Sequence, residues 1–194
     1  MTKIRVSVVA VVMAVAMVGG QSAAFAGSSP DNIVEVRNTT DGALMAQSRA
    51  VITHAPGGTV ENNNVATAWA TCANCRTAAA AVQMLIVEGP YTTFEPGNLA
   101  AAINDGCDTC ETFAYARQYV FVVGHEVRIS GWSEHRLEDI NEEMADVVQS
   151  RDAFPTMEAE LDSLTQQLVD VVRHDIARAG KKGGEQDQRD VQEH

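Results

Sequence analysis

Residues 72-CANCRTAAAAVQMLIVEG-89 recur 35 positions later as 107-CDTCETFAYARQYVFVVG-124. Cys72, Cys75, Thr77, Ala79, Ala81, Gln83, Val87 and Gly89 match Cys107, Cys110, Thr112, Ala114, Ala116, Gln118, Val122 and Gly124. An internal duplication ties both segments to one local structure, so the chain has to fold around two equivalent units.

The matches after each cysteine pair fall on every second residue, while the residues between them vary. That is the period of a strand with one face held constant and the other free to adapt. The second copy varies through Phe113, Tyr115, Tyr119 and Phe121, which are good strand formers. The pattern predicts strands over 76–88 and 111–123. The run Ala78–Ala81 keeps a mainly α alternative open, with both units as buried hairpin helices. Ahead of each pair lie 65-VATAWAT-71 and 99-LAAAIN-104, the second of which reads as a short helix starting at Pro96-Gly97-Asn98. Two copies are too few for a solenoid, so the expectation is one compact core with the units paired about an approximate two-fold axis.

The compartment follows from the first residues. Lys3 and Arg5 precede an apolar run from Val6 to Val18, and Ala24-Phe25-Ala26 offers a small-residue cleavage site. This reads as a secretory signal over 1–26, since the apolar run falls short of the roughly 20 residues that span a bilayer. The mature chain would begin at Gly27 with 168 of the 194 residues, enough for one domain. Its 12 basic against 26 acidic side chains give a net charge of −14, which repels nucleic acid and anionic membrane surfaces. Residues 27–62 are polar and interrupted by SSPDN, NTTDG, APGGT and ENNN, and read as an extension holding at most a short strand or helix. Asn38-Thr39-Thr40 matches a glycosylation sequon, a pattern common by chance.

Beyond Gly124 the composition changes. Residues 125–194 carry 17 acids and 8 bases, against 9 and 4 over 27–124. Leu137, Ile140, Met144, Val147 and Val148 form one helical stripe with Ser133 as an N-cap candidate. Met157, Leu161, Leu164, Leu168, Val171, Val172 and Ile176 form a second, and the short link at 150–154 makes an antiparallel hairpin over 125–179. The second stripe approaches a heptad, which leaves helix-mediated self-association open. Residues 180–194 read as a disordered tail.

Three chemistries fit four exported cysteines. Disulfides are expected first in an oxidising compartment, either within each CxxC or between the copies. A four-thiolate zinc site is the second, with Cys72, Cys75, Cys107 and Cys110 as ligands at a spacing longer than the usual ribbon. The third is a thiol-disulfide oxidoreductase, for which Asp105, Asp108 and Glu111 are unfavourable because they oppose a thiolate in the second pair.

Other catalytic signatures fail. His125-Glu126 begins like a metalloprotease H-E-x-x-H, but Ile129 stands where the second histidine must be. His54, His135 and His174 lack a His or Cys one helical turn away, and no nucleophile elbow or phosphate loop is present. Glu138, Asp139, Glu142, Glu143 and Asp146 read as a solvated helix face.

The doubled C-x-x-C-x-T-x-A-x-A-x-Q over about 63–124 resembles an uncharacterised group of secreted bacterial proteins, some labelled as peptide zinc metalloproteases. The resemblance implies association with a membrane metalloprotease system as a partner only, and no catalytic residues. The sequence thus predicts an α+β protein: a small β-rich core from a duplicated CxxC-strand unit, then a helical hairpin. The expected function is non-catalytic binding or structural interaction outside the cytoplasm, with no cofactor and an unidentified protein or envelope partner.

Overall fold

The structure, a computed structural model, describes residues 30–190. The signal over 1–26 lies outside them. Six strands are followed by two helices: β1 (Asn32–Asn38), β2 (Leu44–Ala55), β3 (Gly58–Ala70), β4 (Arg76–Glu88), β5 (Tyr91–Asn104), β6 (Glu111–Val123), α1 (Gly131–Gln149) and α2 (Phe154–Asp190). The α+β class holds, with a β-rich core and a helical C-terminal part. The helical alternative for the repeats fails because alternate side chains of both are needed on opposite faces of a sheet.

Successive strands alternate between two parallel sheets, ordered β1-β3-β5 (sheet A) and β2-β4-β6 (sheet B). The chain therefore winds as three flattened coils, one strand in each sheet per coil. In register, Arg76 sits over Glu111, Thr77 over Thr112 and Gln83 over Gln118, so the duplicated units are related by translation along a solenoid axis and not by a two-fold. A third, cysteine-free coil precedes them. The polar stretch 27–62 supplies β1, β2 and the start of β3, and 99–104 is strand, not helix. Its Asn and Thr residues concealed strand alternation because this solenoid buries amides.

Inward residues decide the fold. Val34, Val36, Ala66, Ala68, Ala79, Ala81 and Ala116 form one apolar cluster between the sheets, and Ala55, Val60, Leu85 and Val87 another. Polar ladders run between these clusters along the axis. Asn32 Nδ2 donates to Asn64 Oδ1 at 2.8 Å, and Asn64 Nδ2 donates to Asn98 Oδ1 at 2.8 Å. On the opposite sheet Gln118 Nε2 donates to Gln83 Oε1 at 2.9 Å, and Gln83 Nε2 donates to Thr53 Oγ1 at 3.1 Å. A buried amide is tolerated only when bonded, and a repeat of one coil provides the partner at each level. Turn geometry maintains the register at the far corner. Gly57 has φ of +93°, and a Cβ there would lie 2.5 Å from the Pro90 carbonyl oxygen.

The outward face of sheet B is apolar and lies under the helices. Ala78, Ala80, Val82, Met84, Ile86 and Tyr115 pack there against Ile140, Met144, Val148, Met157, Leu161, Leu168 and Val172, a burial that dominates the folding energy. Both helical stripes are spent on this contact, so neither is left for a coiled coil. The N-cap of α1 is Ser130, three residues earlier than Ser133, because Ser130 Oγ accepts from the Ser133 amide. Helix α2 continues to Asp190 through most of the segment read as a tail.

Candidate functional site: the four-cysteine corner and the uncovered sheet

The turns β3–β4 and β5–β6 stack at one corner of the solenoid. Asn74 and Thr109 both adopt φ of 52°. The Asn74 amide donates to the Asp108 carbonyl at 2.8 Å, and the Thr109 hydroxyl donates to Asn74 Oδ1 at 2.9 Å. Arg76 pairs with Glu111 at 2.7 Å, one coil to the next. These contacts place like residues of the two copies one above the other.

Disulfides join Cys72 to Cys75 and Cys107 to Cys110, with Cα–Cα distances of 6.0 and 5.8 Å. Each copy closes its own turn. Their sulfurs approach one another closely: all four lie within 4.8 Å, and Cys75 Sγ is 3.3 Å from Cys110 Sγ. Cys72 and Cys75 are buried, while Cys107 and Cys110 are half-buried at the last coil. The first coil closes its corner with hydrogen bonds instead. There Asn38 Nδ2 donates to the carbonyls of Ala43 at 3.0 Å and Arg76 at 3.1 Å, and Asp41 accepts from the Ala73 amide at 2.8 Å. Asn38 is fully buried in that role, which removes it as a glycan acceptor in the folded chain.

The corner can do three things chemically. As disulfides, the sulfurs close two turns. If reduced, four thiolates from adjacent coils would converge at the scale of a tetrahedral zinc site, which is how the residues fit the metal alternative. Thiol exchange is the least suited. The CxxC turns join strand to strand, so no helix N-terminus stabilises a thiolate, and Asp105, Asp108 and Glu111 stand exposed around the more accessible pair.

The remaining titratable candidates are dispersed. His54 meets Glu88 at 3.0 Å on sheet B, His135 meets Glu138 at 3.4 Å on α1, and His174 lies beside Asp175 on α2. His125 sits in the loop after β6, near Gly180. Among the described residues, the cysteines form the one cluster suited to a metal ion. In the α1 acidic face, Arg136 pairs with Asp139 at 3.6 Å and with Glu143 at 2.8 Å, and the bond to Glu143 raises its pKa.

Sequence reasoning missed the outward face of sheet A. Parallel sheets are normally covered on both sides, and among the described residues only sheet B is covered on its outward face. In register, Ile33, Val65 and Leu99 make one row across the sheet, and Arg37, Trp69 and Ile103 another. Ile33 and Leu99 are each 55% exposed, and the Arg37 guanidinium lies 4.5 Å over the Trp69 ring. Isolated exposed apolar residues are ordinary, whereas these are aligned in rows across adjacent strands. The available signal was the alternation Ile33-Glu35-Arg37 and Val65-Thr67-Trp69, which becomes a row only once the third coil is known.

Compared with protein-family models, with curated proteins and with solved structures, the chain has no match.

Proposed function

We propose that this chain is an exported, non-catalytic interaction protein of the cell envelope or extracellular space, built on a disulfide-closed solenoid. The observation that carries the reading is the asymmetry of the two outward faces. Sheet B is sealed by the chain's own helices, while sheet A presents Ile33, Val65, Leu99, Trp69 and Ile103 on its outward face with no other element of the described chain over it. Disulfides support the extracytoplasmic setting, because paired cysteines persist where the medium oxidises. Among the described residues, no helix is long and apolar enough to cross a membrane. The partner is a protein or envelope surface with a complementary apolar strip.

The test is site-specific photo-crosslinking in the native cell, with a benzophenone residue at Val65 and, as control, at Glu142 on the solvated face of α1. The reading expects one discrete adduct from Val65 and none from Glu142, on a chain whose N-terminus is Gly27. Equal, diffuse labelling from both positions, or a chain retained in the cytoplasm with free thiols, would overturn it.

A zinc-binding reading has one observation in its favour, the convergence of four sulfurs within 4.8 Å. It predicts stoichiometric zinc in protein isolated without oxidant, with loss of structure on chelation.

A further inference from the structure

The solenoid ends differ, and the C-terminal end is unfinished. Inward positions of β3, from Val60 through Asn64 to Ala70, are buried, whereas their counterparts one coil on, Phe94, Asn98, Ala100, Ala102 and Asn104, are exposed. On the opposite sheet Val87 is 0% exposed and its counterpart Val122 is 56% exposed, although both point inward. The sheets are staggered: β1 packs on β2 and β4, β3 on β4 and β6, but β5 on β6 alone. Half of the inward face of β5 therefore forms a ledge, and the free edge of β6 forms its wall.

The asparagine ladder shows what the ledge lacks. Asn32 donates to Asn64 and to the carbonyls of Arg49 and Val82, one on each flanking strand of sheet B. Asn64 repeats this with Asn98 and the carbonyls of Ala81 and Arg117. Among the described residues, the Asn98 amide nitrogen donates only to the Ala116 carbonyl, at 3.2 Å. By the same translation, its second acceptor is the backbone carbonyl of a strand lying beside β6.

We propose that this ledge binds one extended segment of a partner polypeptide, which adds to sheet B as a parallel strand along β6 and receives the second Asn98 hydrogen bond on its backbone. The coil pattern specifies its chemistry. Small apolar side chains face Ala100 and Ala102, and an amide stands level with Gln118, as Gln83 does one coil earlier. A basic residue begins the segment beside Asp105, Asp108 and Glu111, in the place Arg76 takes against Glu111.

A second copy of this chain does not fit as well. Two helices side by side need about 16–20 Å across the strands, whereas three strands of sheet B advance about 14 Å. Identical copies stacked end to end therefore collide through their helical layers. The other edge of sheet B, at β2, is blocked: Asn141 of α1 accepts from the Ala50 amide at 2.7 Å and donates to the Ala50 carbonyl at 3.0 Å, as a neighbouring strand would.

This inference rests on the reading of the chain as an interaction protein, but uses a different surface from the sheet A face. The probe is a labelled peptide of residues 76–88 with Ala78→Thr, Ala80→Lys, Met84→Lys and Ile86→Thr on its outward side for solubility. Its affinity for the oxidised full-length mature chain is read by fluorescence anisotropy. Saturable binding is expected, with at least a tenfold loss for Val122→Lys or Ala100→Lys, two exposed sites where folding is checked by thermal midpoint. Ala101→Lys, on the outward face of β5, is expected to leave the affinity unchanged, and a peptide also carrying Val82→Pro, which removes a backbone donor facing β6, is expected not to bind. Absence of saturable binding, equal binding to Val122→Lys, or concentration-dependent dimers of the chain that Val122→Lys disperses would overturn the proposal. Should the peptide fail while the Val65 crosslink persists, the ledge is wrong and the interaction reading stands. Loss of the crosslink with peptide binding intact gives the reverse.

Discussion

Single side chains show most directly why this chain is a solenoid. Asn64 makes four side-chain hydrogen bonds inside it, one of them as acceptor from Asn32, so its loss strands several buried partners together. Asn64→Ala is expected to lower stability by at least about 2 kcal/mol, since each unpaired buried polar group costs roughly 1–3 kcal/mol. Neighbouring Asn63 points outward, and Asn63→Ala should change stability by only about 0.5 kcal/mol or less in the same urea titration. Asp175 offers a pH test. It is buried, which by itself raises its pKa, but the Ser130 amide, the Ser133 and Ser130 hydroxyls and nearby Arg178 together hold the carboxyl below its ordinary value. A group depressed in the folded state contributes stability above its unfolded pKa of about 3.9 and loses it as pH falls through the folded value. The stability gap between the native chain and Asp175→Asn should therefore be constant above about pH 5 and shrink below about pH 4. The sequence exposed half of this chemistry. Thr77, Ala79, Ala81 and Gln83 repeat because they are inward, where coil stacking allows each position few shapes. Phe113 and Tyr115 could replace Ala78 and Ala80 because they face helices that adapt.

At the scale of elements, the two corner turns and the helical hairpin stabilise different parts of the stack. A local disulfide closes only a short loop, so Cys72→Ser with Cys75→Ser should cost about 2 kcal/mol by chain entropy, well below the effect of a bridge between distant coils. Thermal unfolding of the oxidised variant measures it. Helix α1 shields an edge as well as a face. Asn141→Ala removes the mimic strand at Ala50, and the account expects a cost of about 1–2 kcal/mol, with hydrogen exchange accelerated at the Ala50 amide more than at amides of β4. The helical stripes were legible because their period is strong and local. The first coil was not: its corner is closed by Asn38 and Asp41 where later coils use cysteine, so β1 and β2 carry no motif in common with the repeat. Read alone, NTTDG and ENNN are turn signals; inside a solenoid, Asn62 and Asn64 are buried strand residues.

For the whole molecule, the coil rise and the direction of pairing set what the surfaces can do. Among the described residues, parallel stacking leaves one sheet face bare and one coil end open, while the helices seal the other face and block the β2 edge. That arrangement follows from long-range translation between copies 35 residues apart, which two visible repeats suggested only as a pair. The central claim is that each copy closes its own corner, so that the stack is built of self-contained, disulfide-closed coils, as the proposed extracytoplasmic role requires. Intact mass of natively produced protein, with and without thiol alkylation, followed by non-reducing peptide mapping, tests it most directly. The account predicts a mass four protons below the reduced chain, no alkylation, and one bridge each within 72–75 and 107–110. Four free thiols, or bridges running from one copy to the other, would contradict it.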